Sequence, residues 1–444
     1  MAAERSVRLE AAGILYRVYQ TDAYADILID NIRNQCSFST QDCALLSELV
    51  YGTLRWKGRL DYSLRQVYHG EWKKLPVKIQ VLLETGLYQI VHLDRIPDFA
   101  AIHETVQLVK KWADPHWTGT VNAILRRLAN EHDTIALPSR SNNLVQAISV
   151  EYSHPAWLVE EWLKIFGPDR TEAICRANNE KPVLSLRVNR LKSRPSEVLK
   201  ILSDKGFLVH PGKYLKEFLI LSDGKGLFET DLFQKGAVTV QDESAGLAVR
   251  LLDPQPGEFI LDMSAAPGGK TGYIVEQSAN QANIIAMDHH FGRLQRMRKT
   301  LNRLGHNDVH MVYANAHYLP CKSVDKILLD AQCSGIGVLR KRAELRWRVR
   351  LDQIKKLTEM QKAMLDQAAK CIDAKGVIVY STCTVMKQEN QEIASWFIKK
   401  YPQFVIEPAY PWIADELVAE QGWVQSWPDR HNIDGSFAVR FKTE

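Results

Sequence analysis

Two cysteines, Cys333 and Cys383, stand fifty positions apart, each just past an apolar run: "KILLDAQCSG" and "GVIVYSTCTV". Free cysteine is among the most buried residue types, and a thiol packed under a sheet does no chemistry. A thiol in polar company where a strand ends is a candidate nucleophile. Asp330 precedes Cys333 by three positions, so one strand end offers a carboxyl and a thiol and another offers a second thiol. Together they suit methylation of a pyrimidine at C5. That carbon becomes carbanion-like only after a nucleophile has added at C6, and an acid hydrogen-bonded to N3 would spread the developing charge. The remaining cysteines, Cys36, Cys43, Cys175, Cys321 and Cys371, are expected to be packing residues. With seven cysteines, no C-x-x-C pair and no Cys/His ligand spacing, neither a disulfide framework nor a metal site is expected.

These groups need a scaffold that brings two strand ends together. From Gly236 onward "FILDMS", "NIIAMD", "VHMVYAN", "KILLDA" and "GVIVYST" alternate with helical stretches such as "DQIKKLTEMQKAMLDQAAKCI", which predicts a mostly parallel, doubly wound sheet. Ligands bind such sheets outside the carboxyl ends of the strands, where Asp330, Cys333 and Cys383 would share one pocket. "LDMSAAPGGKT" reads as strand, small-residue loop and helix start, a place where backbone approaches a ligand closely. A phosphate-cradling P-loop is disfavoured, because Ser264 stands where that motif requires glycine. Asp288, about 20 residues past Gly268, closes the second strand where such folds place the acid for ribose hydroxyls, so an adenosine-containing cofactor is expected.

At 444 residues the chain is too long for one ordinary core, and its 45% hydrophobic and 25% charged residues are the proportions of a soluble globular protein. Three parts are expected: an all-α bundle over 1–140, with breaks at Pro76, Pro97 and Pro115; a small α+β module over 141–235; and the α/β domain over 236–444. The N-terminus intersperses charges through its apolar residues, unlike a signal peptide, and no run reaches membrane-spanning length, so a cytoplasmic protein without membrane contact is expected, and a monomer. Fifty-seven Lys+Arg against 52 Asp+Glu leave only +5, so a polyanionic partner must be argued from local clusters.

The segments "MSAAPGGKT", "LLDAQCSGIGVLR", "YSTCTV" with its following "QEN", and "DGSFAVRF" resemble, in order and spacing, four signatures of the RNA cytosine-5 methyltransferases. The helical part resembles the NusB-like RNA-binding domain, and "LSLRVNRLKS" the small domain that precedes the catalytic one. Over nearly its whole length the chain resembles the bacterial RsmB (Fmu/Sun) group. That resemblance implies a NusB-like bundle, a small α+β module and a Rossmann-like domain, with S-adenosylmethionine as cofactor and small-subunit (16S) ribosomal RNA as substrate. It implies that Ser264, Ala265, Ala266, Pro267, Gly268, Gly269 and Lys270 hold the methionine end of the cofactor and Asp288 its ribose. Cys383 would attack the base, Cys333 would assist release of the product, and Asp330 would face the base beside the cofactor. Two positions depart from the pattern: Gln332 replaces the usual proline before Cys333, removing its φ restriction, and Asn315 replaces the usual aspartate near the adenine.

Between Arg340 and Arg350 six basic residues (Arg340, Lys341, Arg342, Arg346, Arg348, Arg350) face one acid, Glu344, with Trp347 among them. Next to the Cys333 turn, this cluster is expected to clamp RNA phosphates, with a solvated helix face as the alternative. "RWKGR", Arg55 to Arg59, is a weaker candidate of the same kind. A target cytosine must leave its stack to reach a thiol, which favours a loop or partly unfolded RNA. Two other functions compete: a non-catalytic RNA-binding assembly factor, and a DNA cytosine-5 methyltransferase, which would use the fourth-strand cysteine instead.

Overall fold

The computed structural model describes residues 6–36, 38–316 and 323–443. They form two compact units: one runs to Glu180 and includes Leu339–Arg348, and the other comprises Lys181–Val338 and Val349–Glu444.

The first unit is helical: Val7–Gln20, Ala25–Gln35, Thr40–Val67, Val77–His92, Asp98–Trp112, Thr118–Glu131, Leu144–Glu151 and Ala156–Asn179. Apolar residues at three and four spacing give Thr40–Val67 one buried stripe (Leu46, Leu49, Val50, Leu60, Leu64) that packs with Ile79, Leu82, Leu83 and Leu87 of Val77–His92. These two helices approach closely at Gly52, where a Cβ would overlap the Tyr88 ring. Pro76 and Pro97 each cap the start of a helix, where the missing N–H costs nothing. Ala156–Asn179 breaks at Gly167 (φ 74°) before Pro168. The helices from 144 to 179, expected in the small module, belong to this unit, and Ser153 Oγ accepts from the Gly58 N–H at 2.9 Å.

The second unit carries two sheets. The small one, order β2-β3-β1-β4, is antiparallel and consists of β1 (Leu184–Val188), β2 (Val209–Pro211), β3 (Phe218–Leu221) and β4 (Val238–Val240), with the helix Pro195–Asp204 against it. The large sheet comprises β5 (Phe259–Asp262), β6 (Asn283–Asp288), β7 (His310–Tyr313), β8 (Val324–Asp330), β9 (Ile372–Thr382), β10 (Phe404–Ile406), β11 (Val424–Ser426) and β12 (Ser436–Thr443). Its order is β10-β12-β9-β8-β5-β6-β7, with β11 pairing β12. From β9 to β7 every pair is parallel, and β12 runs antiparallel to β9. Burial of Ile327, Leu328 and Leu329 on β8 and Ile378, Val379 and Tyr380 on β9 explains why these strands read as unbroken apolar runs. The chain leaves β5 toward β6 and β7, then returns to β8 on the other side of β5. The order therefore reverses between β5 and β8, and the loops after these strands flank the crevice where doubly wound sheets bind ligands. Among the described residues no helix is long and apolar enough to cross a membrane.

Candidate active site

The loop after β5 runs through buried Ala265 and Ala266 to Gly268, whose φ of 96° and 2.7 Å clearance from Met297 Cγ at the Cβ position require glycine. Helix Gly269–Gln277 starts there with its first N–H groups directed out of the helix end. Asp262, ending β5, is fully buried; its Oδ2 accepts from Thr271 Oγ1 at 2.7 Å, while Oδ1 is buried without a hydrogen-bond partner. Burial pushes its carboxyl up to about 7. Asp288, ending β6, is also buried; its Oδ1 accepts from the His290 N–H at 2.9 Å and its Oδ2 lies 3.5 Å from Arg293, which also donates to the Ala266 carbonyl. A glycine cradle, an unpaired buried acceptor and a second buried carboxylate at adjacent strand ends suit a group that carries hydroxyls and an ammonium. Ser264 and Pro267 lie in this loop as expected, and Asn315 follows β7 at the same edge.

The small sheet braces the same helix. Arg187 of β1 is fully buried and forms a bidentate pair with Glu276 (2.9 and 2.7 Å), while its Nη1 donates to the Gly269 carbonyl at 2.6 Å. Sequence reasoning missed this pair, whose partners lie 89 positions apart with no periodic signature.

The three catalytic candidates meet. Cys333 Sγ and Cys383 Sγ are 3.3 Å apart, and the Cys383 N–H donates to Cys333 Sγ at 3.3 Å. The register that pairs Asp330 with Ser381 brings their turns together, and Ser381 Oγ donates to Asp330 Oδ1 at 2.9 Å. Lys270 Nζ donates to Asp330 Oδ2 at 2.6 Å, so the residue expected on the cofactor also closes an ion pair beside the thiols. Burial alone would lower the Lys270 pKa, but Asp330 and then Cys383 raise it, and the ammonium is retained. Cys383 is exposed and Cys333 half-buried. The hydrogen bond to Cys383, then burial, holds the Cys333 thiol well above the ordinary range, so the proton of the pair resides on Cys333. Of the cysteines expected to be packing residues, Cys175 and Cys371 are buried and Cys36 and Cys43 half-buried; Cys321 lies outside the described residues.

Both thiol turns are held from beneath by residues that sequence reasoning did not single out. Glu389 accepts from the Ser334 N–H (2.9 Å), Ser334 Oγ (2.5 Å) and Gln361 Nε2 (3.1 Å), and Gln361 also donates to the Gln332 carbonyl at 2.9 Å. "QEN" after Cys383, part of the segment that carried the family resemblance, was the available signal.

The basic segment is placed differently from its expected role. Arg346 is buried to 1% exposure, and its guanidinium donates to the carbonyls of Ser153 (3.0 Å) and Asn178 (3.2 Å) and to Asn179 Oδ1 (2.8 Å). Arg348 donates to the carbonyls of Val18, Asp22 and Ala23, Trp347 Nε1 to Leu54 O, and Arg342 to Asp26. Arg340 is buried, and Lys341 is half-buried. Arg346 is too buried to clamp a phosphate or to sit on a solvated face, whereas Arg348 is half-buried, and the donors of both serve carbonyls within the helical unit. In "RWKGR" the Lys57 ammonium is likewise turned inward, 2.6 Å from buried Glu84 and 3.0 Å from Asp61.

Comparison with known proteins agrees with this architecture. Residues 249–442 match the model of the 16S rRNA methyltransferase RsmB/F family, 5–130 that of the NusB family, and 154–226 that of the RsmF/B-like ferredoxin-like domain. The chain is 35% identical over 445 residues to the "Probable ribosomal RNA small subunit methyltransferase B" of Bacillus subtilis, covering 98% of this chain and 97% of that one. It is 34% identical to the "Ribosomal RNA small subunit methyltransferase B" of Pseudomonas putida, covering 82% of each. A crystal structure of a methyltransferase homolog from Pyrococcus horikoshii superposes with a TM-score of 0.60 at 26% identity, over 68% of this chain and 99% of that one. S-adenosylmethionine is the cofactor, and the loop 264–270 with Asp288 has the donors and acceptors to receive it. With NusB-like, ferredoxin-like and methyltransferase parts in this order, the chain belongs to the ribosomal RNA small subunit methyltransferase B family.

Proposed function

We propose that this protein methylates C5 of a cytosine in 16S ribosomal RNA, with Cys383 as the nucleophile. The observation that carries the reading is the meeting of Cys383, Cys333 and the Lys270–Asp330 pair at the ends of β8 and β9. S-adenosylmethionine supplies an electrophilic methyl group when bound; residues 264–270 and Asp288 would hold it, with Asn315 a candidate for its adenine. Cys383, the exposed sulfur, adds to C6 of the base. The Lys270 ammonium, donating to Asp330, would offset charge that develops on a ring bound beside the thiols. After transfer Cys333, once its own proton has passed to solvent, takes the C5 proton as a thiolate, and the electron pair of that C–H bond re-forms the C5–C6 double bond and expels Cys383. The DNA-type assignment, with Cys333 as nucleophile, is disfavoured because Cys333 is the less exposed, proton-bearing sulfur.

The test is a denaturing gel of protein with RNA and cofactor. Cys383→Ala is expected to abolish turnover and any covalent species, whereas Cys333→Ala accumulates a protein–RNA adduct. An adduct with Cys383→Ala and none with Cys333→Ala would reverse the assignment. The name of the B. subtilis relative supports the ribosomal RNA substrate, and bisulfite sequencing of 16S RNA from cells lacking the protein identifies the cytosine.

A further inference from the structure

We propose that Glu389, acting with Gln361, is a positioning clasp that locks both cysteine turns into the arrangement required for methyl transfer. Glu389 ends a short helical turn, Lys387–Glu389, and is fully buried. Among the described residues the donors on its carboxylate are uncharged: Ser334 N–H, Ser334 Oγ, Gln361 Nε2 and the Thr384 hydroxyl. A carboxylate buried without a cation is expensive, so these bonds must fix something the fold requires.

They fix the residues on either side of each thiol. Gln361 holds the Gln332 carbonyl and Glu389 the Ser334 N–H, so the peptides flanking Cys333 are restrained from both directions. Ser334 Oγ lies 2.8 Å from Thr384 Oγ1, which carries the restraint to the residue after Cys383. Asn390, adjacent to Glu389, closes the second half: Thr382 Oγ1 donates to its Oδ1 at 2.6 Å, and its Nδ2 donates to the Thr384 carbonyl at 2.9 Å. Tyr380 OH, donating to the Glu389 carbonyl at 2.6 Å, anchors the clasp to β9. Gln332 stands where the resembling enzymes carry proline, and here a hydrogen bond from Gln361 supplies the restraint that a ring would otherwise give. The bonds of Glu389 and Gln361 go to the residues beside the cysteines, so both act through the turns they hold.

Glu389→Gln in the full chain keeps the shape but turns an amide NH2 toward donors. It is expected to lower kcat by about tenfold or more and leave KM for S-adenosylmethionine within about twofold, the pattern of a misplaced reacting group. A second readout uses neither RNA nor cofactor. Iodoacetamide labelling followed by mass spectrometry is expected to find Cys333 alkylated about fivefold faster relative to Cys383, because its turn opens. Lost stability alone would also expose the buried Cys175 and Cys371, so a changed ratio with those two still unlabelled is the mark of the opened turn. If Glu389→Gln does not fold, Ser334→Ala removes two bonds of the clasp, those of the hydroxyl to Glu389 and to Thr384, and is expected to shift kcat and the labelling ratio the same way. Wild-type kcat and an unchanged labelling ratio in a folded variant overturn the proposal. The kinetic arm rests on the covalent reading above; should Cys383→Ala retain transfer, that reading fails while the labelling ratio still decides the clasp.

Discussion

Replacing Arg346 by alanine separates an internal staple from an RNA contact. The guanidinium donates to three acceptors within 3.2 Å, the Ser153 and Asn178 carbonyls and Asn179 Oδ1, all within the helical unit. Each buried acceptor left without a donor costs about 1 to 3 kcal/mol. Part of that is offset, because burial holds the Arg346 pKa down to about 9, and removing the cation relieves this desolvation. The net expectation is a loss of about 2 to 4 kcal/mol, felt first where the acceptors sit. Amide hydrogen exchange in Leu144–Glu151 and Ala156–Asn179 should therefore accelerate by roughly 30- to 1,000-fold. The dependence of RNA affinity on log salt should keep its slope, because no phosphate contact is removed. A loss below about 1 kcal/mol, together with a slope shallower by about 0.7 to 0.9, would place Arg346 on a phosphate and refute the argument.

Two further expectations concern the cofactor and acid. Asp288→Ala should weaken S-adenosylmethionine by roughly 1 to 3 kcal/mol in titration calorimetry, through loss of a buried acceptor; an unchanged Kd would put the ribose elsewhere. Burial lowers the pKa of His92 to about 4 and that of His154 well below the ordinary value. Protonation therefore favours the unfolded chain. The stability they contribute is complete above about pH 6.5 and is lost as pH falls toward 4, by roughly 3 kcal/mol for His92. Urea midpoints across this window should decline less in His92→Gln than in the wild type, and equal declines would count against this assignment.

What was legible in the sequence follows from how each feature is encoded. β8 and β9 are buried on both faces, so their apolar runs announced them, and the strand-end rule then brought Asp330, Cys333 and Cys383 to one crevice. The Lys270–Asp330 pair was not legible, because it joins two loops 60 positions apart and pairing across a sheet leaves no local pattern. The basic segment misled because charge counts do not report exposure. Leu339 and Ala343, four positions apart and both buried, were the signal that one side of the segment faces a core. The first unit extends to Glu180, beyond the turn-rich stretch near residue 140, because Ser153 and the helices after it complete the bundle.

The membership of Leu339–Arg348 in the helical unit also has a consequence during synthesis. The rest of that unit ends at Glu180, so on the ribosome its main helices emerge while the residues that satisfy the Ser153, Asn178, Val18 and Ala23 carbonyls are still about 170 codons away. At about 5 to 20 residues per second, the interval is roughly 10 to 30 s. Throughout it the nascent bundle must rely on water for those groups, and it reaches its final packing only after the Cys333 turn has been made. A fragment cut at residue 180 would remain in that waiting state, lacking the buried arginine that closes it.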